Sequence, residues 1–147
     1  MKSVDIYTIV DPDTTSENQS PNYISANDVK YLNEWVSEGG IMLLLANDKP
    51  NCEFTHFNEL SKTFGFYFQT QTLNKVSNSN WEMAAETNLL DHPLFSGEQK
   101  IYMKDVAPVV LSLNAKPVLK DNNHVLIAET QFGNGYVLAV GESLAIQ

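Results

Sequence analysis

The hydrophobic pattern of the first half alternates between short apolar runs and longer segments with helical spacing. Residues 5–10 and 41–45 are apolar on both faces, which is typical of strands buried in a parallel sheet. Between them, residues 26–38 carry apolar side chains at helical spacing, at Val29, Leu32, Trp35 and Val36. Residues 53–64 predict a second helix, with Phe54, Phe57, Leu60 and Phe64 on one face. The order strand, helix, strand, helix predicts a doubly wound α/β fold.

Local signals mark both ends of the first predicted helix. Ser25 stands in the N-cap position, and Asp28 follows three residues later, where a capping box requires a side chain that reaches back. The pair Gly39 and Gly40 ends the helical pattern. The capping side chains form hydrogen bonds with backbone groups at the start of the helix, and the glycines let the chain leave the helix at its end. These signals are local, so they predict the limits of this helix independently of the rest of the chain.

The second half of the chain predicts short strands instead of further helices. Candidate strands cover residues 66–69, 81–85, 101–106 and 117–120, and polar turns separate them. Residues 124–130 and 136–141 flank Phe132-Gly-Asn-Gly135, which has the turn chemistry of a β-hairpin.

These patterns predict one α/β domain over residues 1–147, doubly wound, with a mostly parallel central sheet flanked by helices. Residues 5–10 and 41–45 are expected to be parallel neighbours at its centre. The C-terminal hairpin, 124–141, is expected to extend the sheet or its edge.

Composition and charge narrow the classes of partner. The 147 residues carry a net charge of −9, and all nine basic residues are lysines. An acidic chain without arginine lacks the usual means of binding phosphate, so nucleic acid and anionic membranes are not expected partners. No apolar run is long enough to span a bilayer, and Met1-Lys2-Ser3-Val4-Asp5 is not an apolar signal segment. A cytoplasmic protein is expected, or a periplasmic or extracellular one if the natural precursor carries a leader.

An ordered set of short motifs resembles a known family. The set comprises Ile9-Val-Asp-Pro-Asp-Thr14, Pro21-Asn-Tyr-Ile24, Trp35-Val36, Gly39-Gly40, Asn47-Asp48, Asn51, Glu53-Phe54, His56-Phe-Asn58, Phe64-Gly65, His92-Pro93, Ile101-Tyr-Met-Lys104, Phe132-Gly-Asn-Gly135 and Val140-Gly141. Together these motifs look like the glutamine-amidotransferase-like domain that follows the catalytic barrel in bacterial unsaturated rhamnogalacturonyl hydrolases. The resemblance implies a class I amidotransferase-like or flavodoxin-like fold.

The resemblance also implies a limit on function. The related domains have a further strand and helix before the equivalent of Asp5, and an acidic-Pro-Trp stretch where this chain reads Glu142-Ser-Leu144. The chain is therefore expected to be trimmed at both ends. The barrel that hydrolyses the unsaturated sugar is absent, so the family's activity is not carried over. The resemblance implies a non-catalytic accessory or carbohydrate-binding module of pectin or acidic-polysaccharide degradation, whose partner is carbohydrate or a catalytic glycoside hydrolase.

Polar residues follow both predicted parallel strands, where ligands bind in doubly wound sheets. The candidate ligand-binding residues are Asp11, Asp13, Asn47, Asp48, Asn51, Glu53, His56 and Asn58. Three interpretations stay open: the residues cap loops and helix ends, they bind sugar hydroxyls, or Asp11, Asp13 and Asp48 hold a divalent cation such as Ca²⁺. No other cofactor is indicated. An acidic sugar is expected to require a bridging cation, since only Lys49 is near in sequence, whereas a neutral sugar is not.

The sequence holds no complete catalytic motif. Cys52 is the one cysteine, and its surroundings, Asp48-Lys-Pro-Asn-Cys-Glu-Phe54, lack the small residues of a nucleophile elbow, so we expect a structural thiol. Two alternatives to the accessory module remain. One is a small hydrolase that uses Asp11, Asp13, Asp48 and His56. The other is a structural module that forms homo-oligomers by pairing exposed sheet edges. Tyr23, in the long polar loop, is either a platform for a sugar ring or an anchor of that loop.

Overall fold

A computed structural model describes residues 5–143, in which one curled, mixed sheet dominates the fold. Two α-helices are present in this part of the chain, α1 (Ala26–Ser37) and α2 (Phe54–Ser61). The strands are β1 (Ile6–Val10), β2 (Ile41–Leu45), β3 (Phe66–Phe68), β4 (Ala85–Glu86), β5 (Ile101–Tyr102), β6 (Val109–Leu111), β7 (Lys116–Asp121), β8 (His124–Phe132) and β9 (Gly135–Val140). Short 3-10 helices occupy Lys62–Phe64, Trp81–Ala84 and Pro93–Phe95.

The sheet is parallel at one end and antiparallel at the other. Its strands follow the order β1-β2-β9-β8-β6-β3, and β7 pairs with β8 off this path. β1 is parallel to β2, with Ile6 opposite Ile41, and β2 is parallel to β9, with Leu45 opposite Val140. From β9 onward every pairing is antiparallel. The first two strands are therefore parallel neighbours, as the sequence predicts.

The helix ends follow the local sequence signals. The Ser25 backbone N–H donates to the Asp28 carboxylate at 2.8 Å, and the Asp28 backbone N–H donates to Ser25 Oγ at 3.2 Å, which completes the predicted capping box. Gly40 allows the chain to turn closely against the helix, because a Cβ there would overlap the Trp35 ring. At α2, the Glu53 carboxylate caps the helix by accepting from the backbone N–H groups of Thr55 and His56.

The prediction of a doubly wound sheet flanked by helices on both faces is wrong. Both helices pack on the same face of the sheet, where Val36 and Phe57 join Met42 and Leu44 in one core. The opposite face buries Leu45 and Val140 against Phe95 and side chains of other short segments, without an α-helix from the described residues. One sheet face is thus covered by helices and the other by 3-10 turns, short strands and loops, which gives a curled mixed sheet.

The structure corrects the sequence prediction for three further segments and shows where the predicted hairpin lies. β1 lies at the end of the strand order and not at the centre of the sheet. Residues 81–84, which were predicted as part of a strand, form a 3-10 helix. Of the predicted strand 101–106, only Ile101–Tyr102 forms a strand, and it pairs with β4. The hairpin 124–141 is present, and its second strand, β9, lies inside the sheet between β2 and β8.

Among residues 5–143, neither helix has the length and hydrophobicity that crossing a bilayer requires.

Candidate functional site

Three parallel strands end at the same edge of the sheet, and polar residues follow each of them. Asp11 follows β1, Asn47 and Asp48 follow β2 after Ala46, and Glu142 follows β9 after Gly141. The backbone continues the sheet past these strand ends, since the Asp11 N–H donates to Leu45 O at 2.8 Å and the Ala46 N–H to Val140 O at 2.9 Å. The loops that leave the three strands are therefore held side by side at this edge.

A continuous chain of hydrogen bonds joins four of the predicted site residues, Asp11, Asn47, Asp48 and Asn51, which we call the carboxyl-edge cluster. Asn47 Nδ2 donates to Asp11 Oδ2 at 2.8 Å, and Asn47 Oδ1 accepts from the Asp48 backbone N–H at 2.8 Å. Asn51 Nδ2 in turn donates to Asp48 Oδ1 at 2.8 Å. The cluster thus shapes both loops, as the capping interpretation predicts. Asp48 Oδ2 accepts none of these hydrogen bonds.

Asp11 is the most constrained member of the carboxyl-edge cluster. Its φ of 44° lies in the left-handed region, which Asp and Asn tolerate better than most residues. Its second oxygen, Oδ1, is buried and accepts no hydrogen bond from the described residues. Burial raises the pKa of the Asp11 carboxyl above its usual range, the hydrogen bond from Asn47 lowers it, and the nearby carboxylates raise it again.

The remaining predicted residues divide into three groups. Asp13 is exposed, and its carboxylate accepts from Asn18 Nδ2 at 2.9 Å. Glu53 and His56 form a pair, with 3.2 Å between Glu53 Oε2 and His56 Nδ1, in addition to the capping bonds of Glu53. Asn58 is buried between α2 and β3, where its side chain pairs with both backbone groups of Phe68, so it does not line the edge.

An aromatic pair stands beside this edge. The rings of Tyr23 and His56 stack at a centroid distance of 4.5 Å and an angle of 14°. His56 belongs to α2, whose N-cap Glu53 donates its backbone N–H to Pro12 O at 2.8 Å in the loop that follows Asp11. Tyr23 is 42% exposed, so part of its ring remains open to solvent.

Sequence reasoning missed two charged residues of this edge. Glu142 is only 3% exposed, and a prediction that β9 runs parallel beside β2 would have identified it as the residue after a third parallel strand. Lys104 comes from a distant segment. The hydrogen bond to Asp105 raises the pKa of the Lys104 ammonium, and the carboxylates of Asp48 and Glu142 raise it further. No sequence pattern indicated that Lys104 lies near Asp48.

Cys52 and the possible metal-binding side chains are two of the candidate chemistries. Burial raises the pKa of the Cys52 thiol to about 12, which supports its assignment as a structural thiol. Between residues 5 and 143 no group of three or more His, Cys, Asp and Glu side chains is arranged to hold a metal ion. Asp11, Asp13 and Asp48 do not form such a group, and the divalent-cation interpretation stays a prediction. The arrangement presents hydrogen-bond acceptors beside an aromatic ring.

Comparison with known proteins shows similarity in fold. No family model matches the chain, and no curated protein sequence matches it. Among solved structures, the N-terminal domain of mmIFT52 has a TM-score of 0.74 at 15% identity, over 96% of this chain and 67% of that one.

Two glycoside hydrolases contain a similar fold as one part of a longer chain. The exo-β-1,4-mannosidase Op5Man5 from Opitutaceae bacterium strain TAV5 has a TM-score of 0.55 at 17% identity, over 97% of this chain and 21% of that one. The GH42 β-galactosidase Gan42B from G. stearothermophilus has a TM-score of 0.58 at 12% identity, over 93% of this chain and 19% of that one. This chain therefore spans about a fifth of either hydrolase.

Proposed function

We propose that this chain is a non-catalytic accessory module that binds neutral, hydroxyl-rich carbohydrate at the carboxyl edge of its parallel strands. The observation that carries the proposal is the position of the Tyr23–His56 stack beside the acceptor groups of the carboxyl-edge cluster. Sugar rings pack their C–H faces on aromatic side chains, and their hydroxyls donate to carboxylate and amide oxygens. The occurrence of a similar fold within two glycoside hydrolases supports a role in carbohydrate metabolism.

Charge favours a neutral ligand over an acidic one. Asp11, Asp13, Asp48 and Glu142 lie at or near this edge. Two lysines are near them: Lys49 follows Asp48 in sequence, and Lys104 is already paired with Asp105 at 2.8 Å. A uronate carboxylate would therefore be repelled unless a divalent ion bridged it. The link to pectin and to unsaturated rhamnogalacturonyl hydrolases rests on the motif resemblance and stays a prediction, since the solved structures named above include no such hydrolase.

No observation favours the small-hydrolase alternative. His56 pairs with Glu53 and stacks on Tyr23, and no hydrogen bond joins its ring to an aspartate of the described chain. The homo-oligomer alternative concerns a different surface, the open edge of β1.

Calorimetric titration with two ligands tests the proposal. A neutral β-1,4-linked manno-oligosaccharide is expected to bind in EDTA, whereas an oligogalacturonate is expected to bind only with Ca²⁺. An Asp48→Ala/Asn51→Ala variant should lose the heat of the neutral ligand, and an Asp91→Ala variant, which changes an exposed aspartate of another loop, should retain it. Equal heats from the wild type and the double variant would overturn the site, and binding of the acidic ligand in EDTA would overturn the charge argument.

A further inference from the structure

β1 is an edge strand with an open row of backbone groups. Within residues 5–143 it pairs only with β2. The Ile41 N–H donates to Asp5 O and the Asp11 N–H to Leu45 O, so the odd-numbered residues of β1 direct their backbone groups toward β2. Backbone direction alternates along a strand, and the even-numbered residues therefore point their N–H and C=O groups outward. The outward-facing residues are Ile6, Thr8 and Val10.

Apolar side chains accompany this open edge on both faces of the sheet. Ile6 and Val10 are 56% and 52% exposed on the face away from α1. On the α1 face, Tyr7 packs edge-to-face on Trp35 with ring centroids 6.2 Å apart. These two rings belong to an open groove of about 1060 Å³ that runs between β1 and α1 and also includes Tyr31. Exposed, apolar edge strands are sites where another polypeptide adds to a sheet.

The groove is acidic. Within residues 5–143, its lining contains four carboxylates, from Asp5, Asp28, Glu34 and Glu38, and no Lys, Arg or His. One of them, Glu34, lies 4.0 Å from the ammonium group of Lys30 in α1, and both side chains are exposed. Because exposed ion pairs are weak in water, Lys30 neutralises little of the negative charge of the groove. The hydrogen bonds from Ser25 lower the pKa of Asp28, which keeps that carboxylate ionised. The groove therefore favours a basic occupant.

A second copy of this chain meets opposed like charges in the register that is symmetric about Thr8. Antiparallel pairing of two β1 strands about Thr8 would place Ile6 opposite Val10 of the other copy, which is a favourable apolar match. The same register would place Asp5 opposite Asp11 of the other copy, twice in each dimer, and like charges directly opposite one another are destabilising. Each copy also carries a net charge of −9. Charge thus disfavours self-pairing and favours a basic partner.

We propose that the open edge of β1 and the adjoining groove bind an extended, basic polypeptide segment, which joins the sheet as an additional strand. Its backbone pairs with Ile6, Thr8 and Val10. On the face away from α1, its alternate apolar side chains lie against Ile6 and Val10. On the α1 face, its Lys or Arg side chains pass over Tyr7 and Trp35 and reach the carboxylates of the groove. This inference concerns the lateral edge of β1 and not the carboxyl-edge cluster, although Tyr23 lines both the groove and the proposed sugar site. Backbone pairing at Ile6, Thr8 and Val10 does not depend on sugar binding.

Hydrogen exchange with a defined probe tests the proposal. The probe is a synthetic heptapeptide in which lysine alternates with valine, and its control has glutamate in place of every lysine. The backbone amides of Ile6, Thr8 and Val10 should exchange rapidly in the free protein and become protected by the lysine peptide, because these N–H groups gain hydrogen-bond acceptors. The amides that already donate to β2 should change little.

Substitutions separate backbone pairing from charge. Thr8→Pro removes an outward N–H without removing a hydrogen bond to β2, and should weaken the lysine peptide by about fivefold or more, whereas Thr8→Val keeps the N–H and should bind like the wild type. Asp5→Asn/Glu38→Gln changes exposed charges only and should weaken the peptide by about tenfold at low salt.

Three outcomes would overturn the proposal. They are absence of protection at the outward amides, equal binding of the glutamate peptide, and a concentration-dependent dimer of the free protein in sedimentation that protects the same amides.

Discussion

The side-chain amide of Asn47 donates a 2.8 Å hydrogen bond to the carboxylate of Asp11, across 36 positions of sequence. The bond joins the loops that leave β1 and β2, and it contacts a carboxylate whose second oxygen is buried without a hydrogen bond from the described residues. Burial raises the pKa of Asp11, so the ionised form of this residue is held at a free-energy penalty. The pair therefore links the geometry of the candidate site to pH.

We expect Asp11→Asn to change how stability depends on pH. The pKa of this carboxyl is higher in the folded than in the unfolded chain, so the unfolded chain releases its proton first as pH rises. The wild type should therefore lose stability from the ordinary aspartate pKa of about 3.9 up to the raised value, and remain at the lower level above it. Asparagine tolerates the same backbone and lacks this loss. Urea unfolding at a series of pH values measures the difference, and parallel curves for the two proteins would contradict the prediction.

Asn47→Ala should destabilise the protein by about 1 to 3 kcal/mol at neutral pH, because it leaves both oxygens of the partly buried Asp11 carboxylate without a donor from residues 5–143. The hydrogen bond from Asn47 lowers the pKa of Asp11, so its removal should extend the window of pH-dependent stability upward. The combined variant with Asp11→Asn provides the control. If the pH effect of Asn47→Ala persists in that variant, another group causes it.

Asn58→Ala should destabilise the fold by about 2 to 4 kcal/mol without affecting carbohydrate binding. The Asn58 side chain donates to Phe68 O and accepts from Phe68 N, both at 2.9 Å, and these buried backbone groups would lose their partner. Ser61→Ala is the control, since it removes one hydroxyl that lies within hydrogen-bond distance of Asn58 Oδ1 and Phe66 O and leaves both bonds of Asn58 to Phe68 in place, so it should have a smaller effect. Chemical denaturation and sugar titration of both variants separate the two roles. Loss of sugar binding at unchanged stability would return Asn58 to the site.

Cys52 should react slowly with iodoacetamide at neutral pH in the native protein and rapidly in urea. Its side chain is buried, and burial raises the pKa of the thiol to about 12, so the reactive thiolate is scarce. Cys52→Ala should reduce stability by about 1 to 2 kcal/mol through lost packing and leave ligand affinity unchanged. Labelling by mass spectrometry provides the rate, and equal rates with and without urea would show that the thiol is accessible.

Gly135→Ala should destabilise the protein by about 3 kcal/mol or more. A Cβ at Gly135 would overlap the backbone carbonyl oxygens of Val36 and Gly40, which hold the end of α1 against the start of β9. Gly97→Ala is the comparison, because Gly97 has a φ of 86° but no atom within 4 Å of an added Cβ, and it should cost about 1 kcal/mol from backbone strain alone. Thermal unfolding ranks the two variants. A smaller effect at Gly135 than at Gly97 would contradict the close approach of α1.

The sequence by itself determined features whose signals are local. The N-cap at Ser25 with its partner Asp28, the parallel pairing of β1 with β2 and the hairpin after His124 all follow from caps, apolar runs and turn residues. A cap depends on residues within one helical turn, and a hairpin on residues that are adjacent in sequence. The sequence also predicted that four polar residues lie close together, because loops that follow neighbouring parallel strands leave the sheet at one edge. These residues are Asp11, Asn47, Asp48 and Asn51.

Only the tertiary structure decided the order of the strands and the side on which each helix packs. The alternation of side chains in β9 is compatible with several positions in the sheet. Its position beside β2 buries Val137 and Ala139 under the helices and Val140 on the opposite face. That position brings Glu142 to the site, and a distant loop brings Lys104 near Asp48. The same order leaves β1 at the edge. The spacing of apolar residues indicates which face of a strand is buried. Which strand lies beside it depends on burial and hydrogen bonding over the whole sheet.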